Sequence, residues 1–130
     1  MASELFNKGL EVRSAVLGKE YVQKSLGGAD DFSMPLQEYA TEACWGMIWT
    51  RPGLPRKTRS LLNIAMLTAL NRPHELKLHI KSSFNNGVTK DEIREVLLQA
   101  ACYCGVPAGN SATHWAEEVF AQMEKGGHKF

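Results

Sequence analysis

The chain has 130 residues, enough for one domain with a single core and too few for two. Fifteen basic and 14 acidic residues leave a net charge of +1, which supplies no field for gripping a polyanion and argues against nucleic-acid binding. No apolar run is long enough to span a bilayer, and residues 1–6 hold an acid and no apolar leader core, so a soluble cytoplasmic protein without a membrane partner is expected.

Proline punctuates the sequence. Pro35, Pro55, Pro73 and Pro107 each stand just inside the start of an apolar-periodic run, where the missing N–H is no loss. This predicts helices over residues 3–26, 34–50, 55–70, 73–85, 90–104 and 107–124. Thr89-Lys90-Asp91-Glu92 reads as a capping box for the fifth helix. Gly27-Gly28, Gly87, Gly105 and Gly126-Gly127 are placed to end their neighbours through positive φ. No segment alternates like a strand, so the class is all-α. Flexibility is expected only at residues 27–31, at 51–54 and in the tail from Gly126.

The third predicted helix is apolar almost all round, through Leu61, Leu62, Ile64, Ala65, Met66, Leu67, Ala69 and Leu70. A small monomer cannot bury every side of such a helix, so a subunit interface is the expected solution, with a central helix in one bundle as the alternative. Cys44, Cys102 and Cys104 are odd in number and lack a disulfide framework, which fits a reducing compartment; Cys102 and Cys104 read as small apolar residues at a buried helix end. No set of four Cys and His has zinc spacing, and none of the metal motifs is present.

Chemistry concentrates in a few places. Glu75 and His79 are four apart on one predicted helix face, where a carboxylate that orients an imidazole creates a proton donor or acceptor usable near neutral pH. Glu42, Trp45 and Trp49 fall at i, i+3 and i+7 on the second helix; the aromatics are either core or a pocket wall that desolvates Glu42 and makes it a protonated donor. Arg51 opens the turn Arg51-Pro52-Gly53-Leu54, rigid enough to present a two-point clamp to a carboxylate. Arg59, near the start of an apolar helix, must either reach the surface or meet a buried anion. His114, beside Trp115, is a weaker candidate, while His74 and His128 read as a helix start and a loose tail.

These residues lie within an ordered set of motifs. The set runs Trp45-Gly46-Met47-Ile48-Trp49-Thr50-Arg51-Pro52-Gly53-Leu54, Lys57-Thr58-Arg59-Ser60-Leu61-Leu62, Glu75-Leu76-Lys77-Leu78-His79, Asn85-Asn86-Gly87-Val88-Thr89, Glu92-Ile93-Arg94-Glu95-Val96 and Tyr103-Cys104-Gly105-Val106-Pro107-Ala108. From about residue 32 to residue 112 it resembles the carboxymuconolactone decarboxylase family, in particular its 4-carboxymuconolactone decarboxylase branch, within an AhpD-like superfamily. The resemblance implies a single AhpD-like bundle of about six helices that assembles as a homo-oligomer, a trimer or a hexamer built as a trimer of dimers.

It also implies a reaction: 4-carboxymuconolactone, a lactone with two carboxylates, loses carbon dioxide to give 3-oxoadipate enol-lactone in protocatechuate catabolism by the β-ketoadipate route. The electrons left behind run through the double bond to the lactone carbonyl, so no metal, pyridoxal or thiamine cofactor is demanded. In this reading Arg51 and Arg59 anchor carboxylates, Trp45 and Trp49 form an apolar wall, and His79, oriented by Glu75 or assisted by Glu42, protonates carbon. The thiol peroxidases of the superfamily carry C-x-x-C followed by x-x-x-His; aligned on His79, those cysteine positions hold Arg72 and Glu75, neither of which can attack a peroxide. A helical assembly protein without catalysis is the remaining alternative.

Overall fold

A computed structural model describes residues 2–130. The described residues are all helical, without a strand, and divide into two compact units, Met1–Pro55 and Arg56–Phe130.

In the first unit α1 spans Glu4–Leu17 and α2 spans Lys19–Gly27. Ser3 caps α1 by accepting a hydrogen bond from the Phe6 N–H at 3.0 Å. The single helix expected over residues 3–26 is broken at Gly18, whose φ of 97° and ψ of 134° suit only glycine. Gly27 and Gly28 do not play the part expected of them: Gly27 ends inside α2 and Gly28 has φ of −87°.

The expected helix over 34–50 changes character midway. α3 covers Met34–Tyr39 and runs on as a π-helical segment, Ala40–Ile48, whose wider turn shows in the bond from the Trp49 N–H to the Cys44 carbonyl at 3.0 Å. The hydroxyls of Thr41 and Thr50 donate to the carbonyls of Gln37 and Gly46, one turn back, at 2.7 and 2.6 Å. Both ends of the segment therefore have a carbonyl engaged by a side chain. α1 lies tightly against this segment. A Cβ on Gly9 would stand 1.9 Å from the Thr41 carbonyl oxygen, so nothing larger than glycine permits the approach. Val12, Val16, Trp45 and Trp49 form the core of this unit.

The second unit contains α4 (Arg56–Ala69), α5 (Pro73–Ser83) with a 3₁₀ turn at Phe84–Asn86, α6 (Lys90–Cys104) and α7 (Val106–Lys125). These follow the proline punctuation closely. Ile64, Leu76, Ile80, Ile93, Leu97, Ala112, Ala116 and Val119 interdigitate into its core. The capping box of α6 is present in both directions, Glu92 N–H to Thr89 Oγ1 at 3.1 Å and Thr89 N–H to Glu92 Oε1 at 2.9 Å. Lys57 pairs with the same Glu92 at 3.0 Å and so ties α4 to the start of α6.

Two expectations need correction. The tail is not loose: the His128 N–H bonds the Met123 carbonyl at 2.9 Å, and the rings of His128 and Phe130 pack against Phe84 at 5.4 and 5.3 Å. Apolar and aromatic area in the last residues is enough to fold them back. Cys102 and Cys104 are exposed, as is Cys44: Cys102 lies opposite the inward face of Ile93, Leu97 and Ala100, and Cys104 continues that face but stands at the last residue of α6. α4 buries Ser60, Ile64 and Thr68, leaving Leu62, Met66 and Leu70 as a stripe at i, i+4 and i+8 that is 45%, 52% and 66% exposed.

Candidate functional site

The sequence-predicted residues divide between the two units. Glu42, Trp45, Trp49 and Arg51 belong to the first; Arg59, Glu75 and His79 belong to the second.

In the first unit the π-helical turn changes which residues share a face. Thr41, Trp45 and Trp49, spaced by four, are the buried ones, and the two indoles stack with centroids 4.7 Å apart and planes inclined by 26°. Each Trp is only 7% exposed and packs with Val12 and Val16, so both serve the core of this unit. Glu42 lies to the side of that face, partly buried, where its Oε2 accepts a hydrogen bond from the Ser3 hydroxyl at 2.9 Å. The residue that caps α1 thus also holds Glu42. Arg51 is exposed in the turn after the π segment, its N–H bonded to the Ile48 carbonyl at 3.0 Å.

In the second unit Pro73 opens α5 and sets Glu75 in its first turn, exposed, with His79 one turn on and partly buried. The His79 Nδ1 lies 3.5 Å from the Asn63 Nδ2 on α4, a long contact that brings the ring toward that helix. Burial lowers the imidazole from 6.5 to about 4, while the neighbouring charge of Glu75 pulls the other way and loses. The expectation of an imidazole already poised near neutrality is therefore corrected: in the resting chain at pH 7, His79 is neutral. Asn63 is a neighbour that sequence reasoning missed; it stands at i−1 to buried Ile64, and nothing in its spacing marks it. Arg59 is partly buried in the first turns of α4. His74 and His114 are exposed.

A groove of about 840 Å³ runs between α6 and α7, lined among others by Leu97, Leu98, Val106 and Phe120. It includes none of the candidate residues. Within the second unit the candidate residues Arg59, Glu75 and His79 lie on α4 and α5, apart from this groove. Among the described residues no three His, Cys, Asp or Glu side chains are grouped as metal ligands, and no helix is long and apolar enough to cross a membrane.

An all-helical chain with a partly buried histidine one turn from a glutamate, and no thiol at either expected peroxidatic position, has the marks of an acid–base enzyme and not of a thiol enzyme. Residues 35–118 match the carboxymuconolactone decarboxylase family, and the chain belongs to that family. It is 50% identical over 118 residues to the 4-carboxymuconolactone decarboxylase of Acinetobacter baylyi, covering 91% of this chain and 88% of that one. It is also 45% identical over 126 residues to the nitrosuccinic acid decarboxylase npaB of Metarhizium robertsii, covering 96% of this chain and 88% of the relative. A more distant likeness, 34% over 87 residues, covers 65% of this chain and 64% of an uncharacterized 15.0 kDa protein from the nqo9-nqo10 intergenic region of Paracoccus denitrificans.

Proposed function

We propose that the chain is a carboxy-lyase that converts 4-carboxymuconolactone to 3-oxoadipate enol-lactone in protocatechuate catabolism, without a metal or organic cofactor. The observation that carries this reading is the 50% identity, over nine-tenths of the chain, to a protein named for that reaction. His79 supplies the acid–base group the reaction asks for.

The chemistry has two steps. The carbon–carbon bond to the departing carboxylate breaks, carbon dioxide leaves, and the electron pair spreads through the double bond to the lactone oxygen. The resulting dienolate then takes one proton on carbon. In this reading His79 delivers that proton. Because the resting imidazole is neutral, it acquires the proton as the substrate arrives, the two carboxylates of the lactone supplying negative charge that Glu75 alone does not. Arg51 and Arg59 are assigned to carboxylates, and Trp45 and Trp49 to an apolar surface that favours loss of the departing charge. Glu42 is the second acid to test. The homo-oligomer, trimer or hexamer, remains part of the proposal; the stripe of Leu62, Met66 and Leu70 is the apolar surface that supports it.

The nitrosuccinic acid decarboxylase supports a neighbouring reading. A carboxylate placed β to a nitro group leaves an electron pair that the nitro group accepts, so a nitro-dicarboxylic acid asks for the same anion anchoring and the same proton on carbon.

The deciding experiment follows the disappearance of 4-carboxymuconolactone, generated in place from β-carboxymuconate by a cycloisomerase, with EDTA and a thiol blocker in parallel. Turnover indifferent to both additives is the expected result. Absence of turnover with the lactone, together with turnover of nitrosuccinate, would transfer the assignment to the nitro acid.

A further inference from the structure

The first unit contains a cation that the sequence reading passed over. Arg13, in the third turn of α1, is only 7% exposed, in a helix whose neighbouring positions Val12 and Val16 are core residues. Its Nη1 donates to the Thr41 hydroxyl at 3.1 Å, and Thr41 passes its own proton to the Gln37 carbonyl at 2.7 Å. That is the one hydrogen bond the guanidinium makes among the described residues. Its Nε–H is buried without an acceptor, and none of the ion pairs involves it. Tyr21 and Cys44 are the titratable groups close enough to act on it, and neither is a carboxylate.

A buried guanidinium is normally matched by an anion, because removing its charge from water is expensive and a single neutral hydroxyl restores little of the loss. Burial indeed holds the Arg13 pKa below its ordinary value. The Thr41 hydroxyl is already turned so that it only accepts, which orients the guanidinium without neutralising it. A second polar atom on the same hydrogen-bonded chain is also unmatched: the Gln37 Oε1 is buried without a donor. Turned by half a rotation, that amide offers an Nε2–H instead. The charged Nε–H without an acceptor, together with an amide that can present a donor in place of its unmatched oxygen, suits a two-oxygen anion.

We propose that Arg13, supported by Gln37 and Thr41, binds a carboxylate of a dicarboxylate ligand, and that this ligand is the substrate. The identification of the ligand with the substrate rests on the decarboxylase reading; the anion site itself does not. A carboxylate could also reach Arg13 from a second copy of the chain, and the experiment distinguishes the two sources.

The test compares the wild type with Arg13→Met, Arg13→Lys and Gln37→Leu. Methionine keeps most of the apolar stem and removes the charge, and since Thr41 retains Gln37 as its acceptor, no buried donor is orphaned. Arg13→Met is therefore expected to melt at the same temperature as the wild type or higher, with unchanged helicity, because a charge kept for a ligand opposes folding in its absence. The same variant is expected to raise KM for the dicarboxylated lactone about 10- to 100-fold, the effect of losing a charge-assisted contact, with a smaller change in kcat. Arg13→Lys falls between the two, and Gln37→Leu raises KM less than Arg13→Met. Succinate, titrated against chloride of equal ionic strength, stabilises the wild type against heat and does not stabilise Arg13→Met.

A KM and a succinate response unchanged in Arg13→Met would overturn the proposal. A change in sedimentation mass in that variant with KM unchanged would also overturn it, by showing that the carboxylate comes from another copy. If the wild type turns over no lactone but succinate binds in an Arg13-dependent way, the decarboxylase reading fails and the anion site stands.

Discussion

Protonation of His79 couples the fold to pH, and the size of the coupling can be worked out in advance. The imidazole sits at about 4 in the folded chain and at 6.5 when freed by unfolding. Between those values the unfolded chain binds a proton that the folded chain refuses, so acid favours unfolding. The stability His79 contributes is intact above pH 6.5, declines as pH falls through the window from 6.5 to 4, and is fully lost below it. At about 1.4 kcal/mol for each unit of pKa, the whole difference is worth about 3 kcal/mol, of which about 2 kcal/mol is gone by pH 5. Urea unfolding of the wild type and of His79→Gln at pH 7.5, 6, 5 and 4.5 isolates this quantity. Other groups that acidify, such as Glu92 held below its ordinary range by Thr89 and Lys57, cancel in the difference between the two proteins. The wild type is expected to lose about 2 kcal/mol more than the variant between pH 7.5 and pH 5. Parallel curves would refute the burial argument, and a wild type that gains relative to the variant on acidification would show that Glu75 outweighs burial.

The same histidine predicts a split in the rate profiles: kcat/KM, which reports the free enzyme, falls as pH rises above about 4, while kcat holds to higher pH because the bound dianion keeps the imidazole charged. Coincident limbs would rule out proton uptake on binding. His79→Gln is expected to lower kcat about 10²- to 10⁴-fold with the fold intact by circular dichroism at pH 7.5, and Glu75→Gln to lower it less. Gly9→Ala drives a methyl into the Thr41 carbonyl and is expected to destabilise by about 3 kcal/mol, whereas Gly18→Ala meets no neighbour and is limited to about 1–3 kcal/mol of backbone strain; thermal or urea unfolding ranks the two. Trp45→Ala removes half of the indole stack in a core of four buried residues, and a loss of about 3–5 kcal/mol in urea unfolding is expected.

The second unit was legible in the sequence because its signals are local. Pro73 and the Thr89 to Glu92 box act within one helical turn, and Ile64, Leu76, Ile80, Ile93 and Leu97 recur at helical spacing, so the ends and inner faces of its helices could be read without their partners. The first unit hid more because its decisive features depend on what packs against them. Gly18 looks like any glycine in a helix former's company until its φ is seen, and the π-helical turn leaves no mark in composition while moving the shared face from Glu42, Trp45 and Trp49 to Thr41, Trp45 and Trp49. An arginine in the sequence Glu11-Val12-Arg13-Ser14 reads as a solvated residue, since exposure is the rule for its type.

The correction at His79 and the burial of Arg13, on which the sequence analysis is silent, share one cause. A sequence lists charges and their spacing, from which the pull of Glu75 on His79 could be foreseen, but the loss of water is set by how many atoms of other helices surround the group. For His79 that loss exceeds the pull of Glu75, and for Arg13 it exceeds the opposing influence of Tyr21 and Cys44, neither of which is a carboxylate. Both groups are consequently worse placed for the empty protein than for a protein holding an anion: the imidazole would gain its proton and the guanidinium its partner from the same kind of ligand. A dicarboxylate supplies two negative charges, and the resting chain is short of negative charge at these two buried positions. Electrostatic stress that a dianion relieves favours its arrival without a metal or cofactor, and once the electron pair left by carbon dioxide has taken its proton on carbon, the ligand carries one negative charge fewer and its release is favoured in turn.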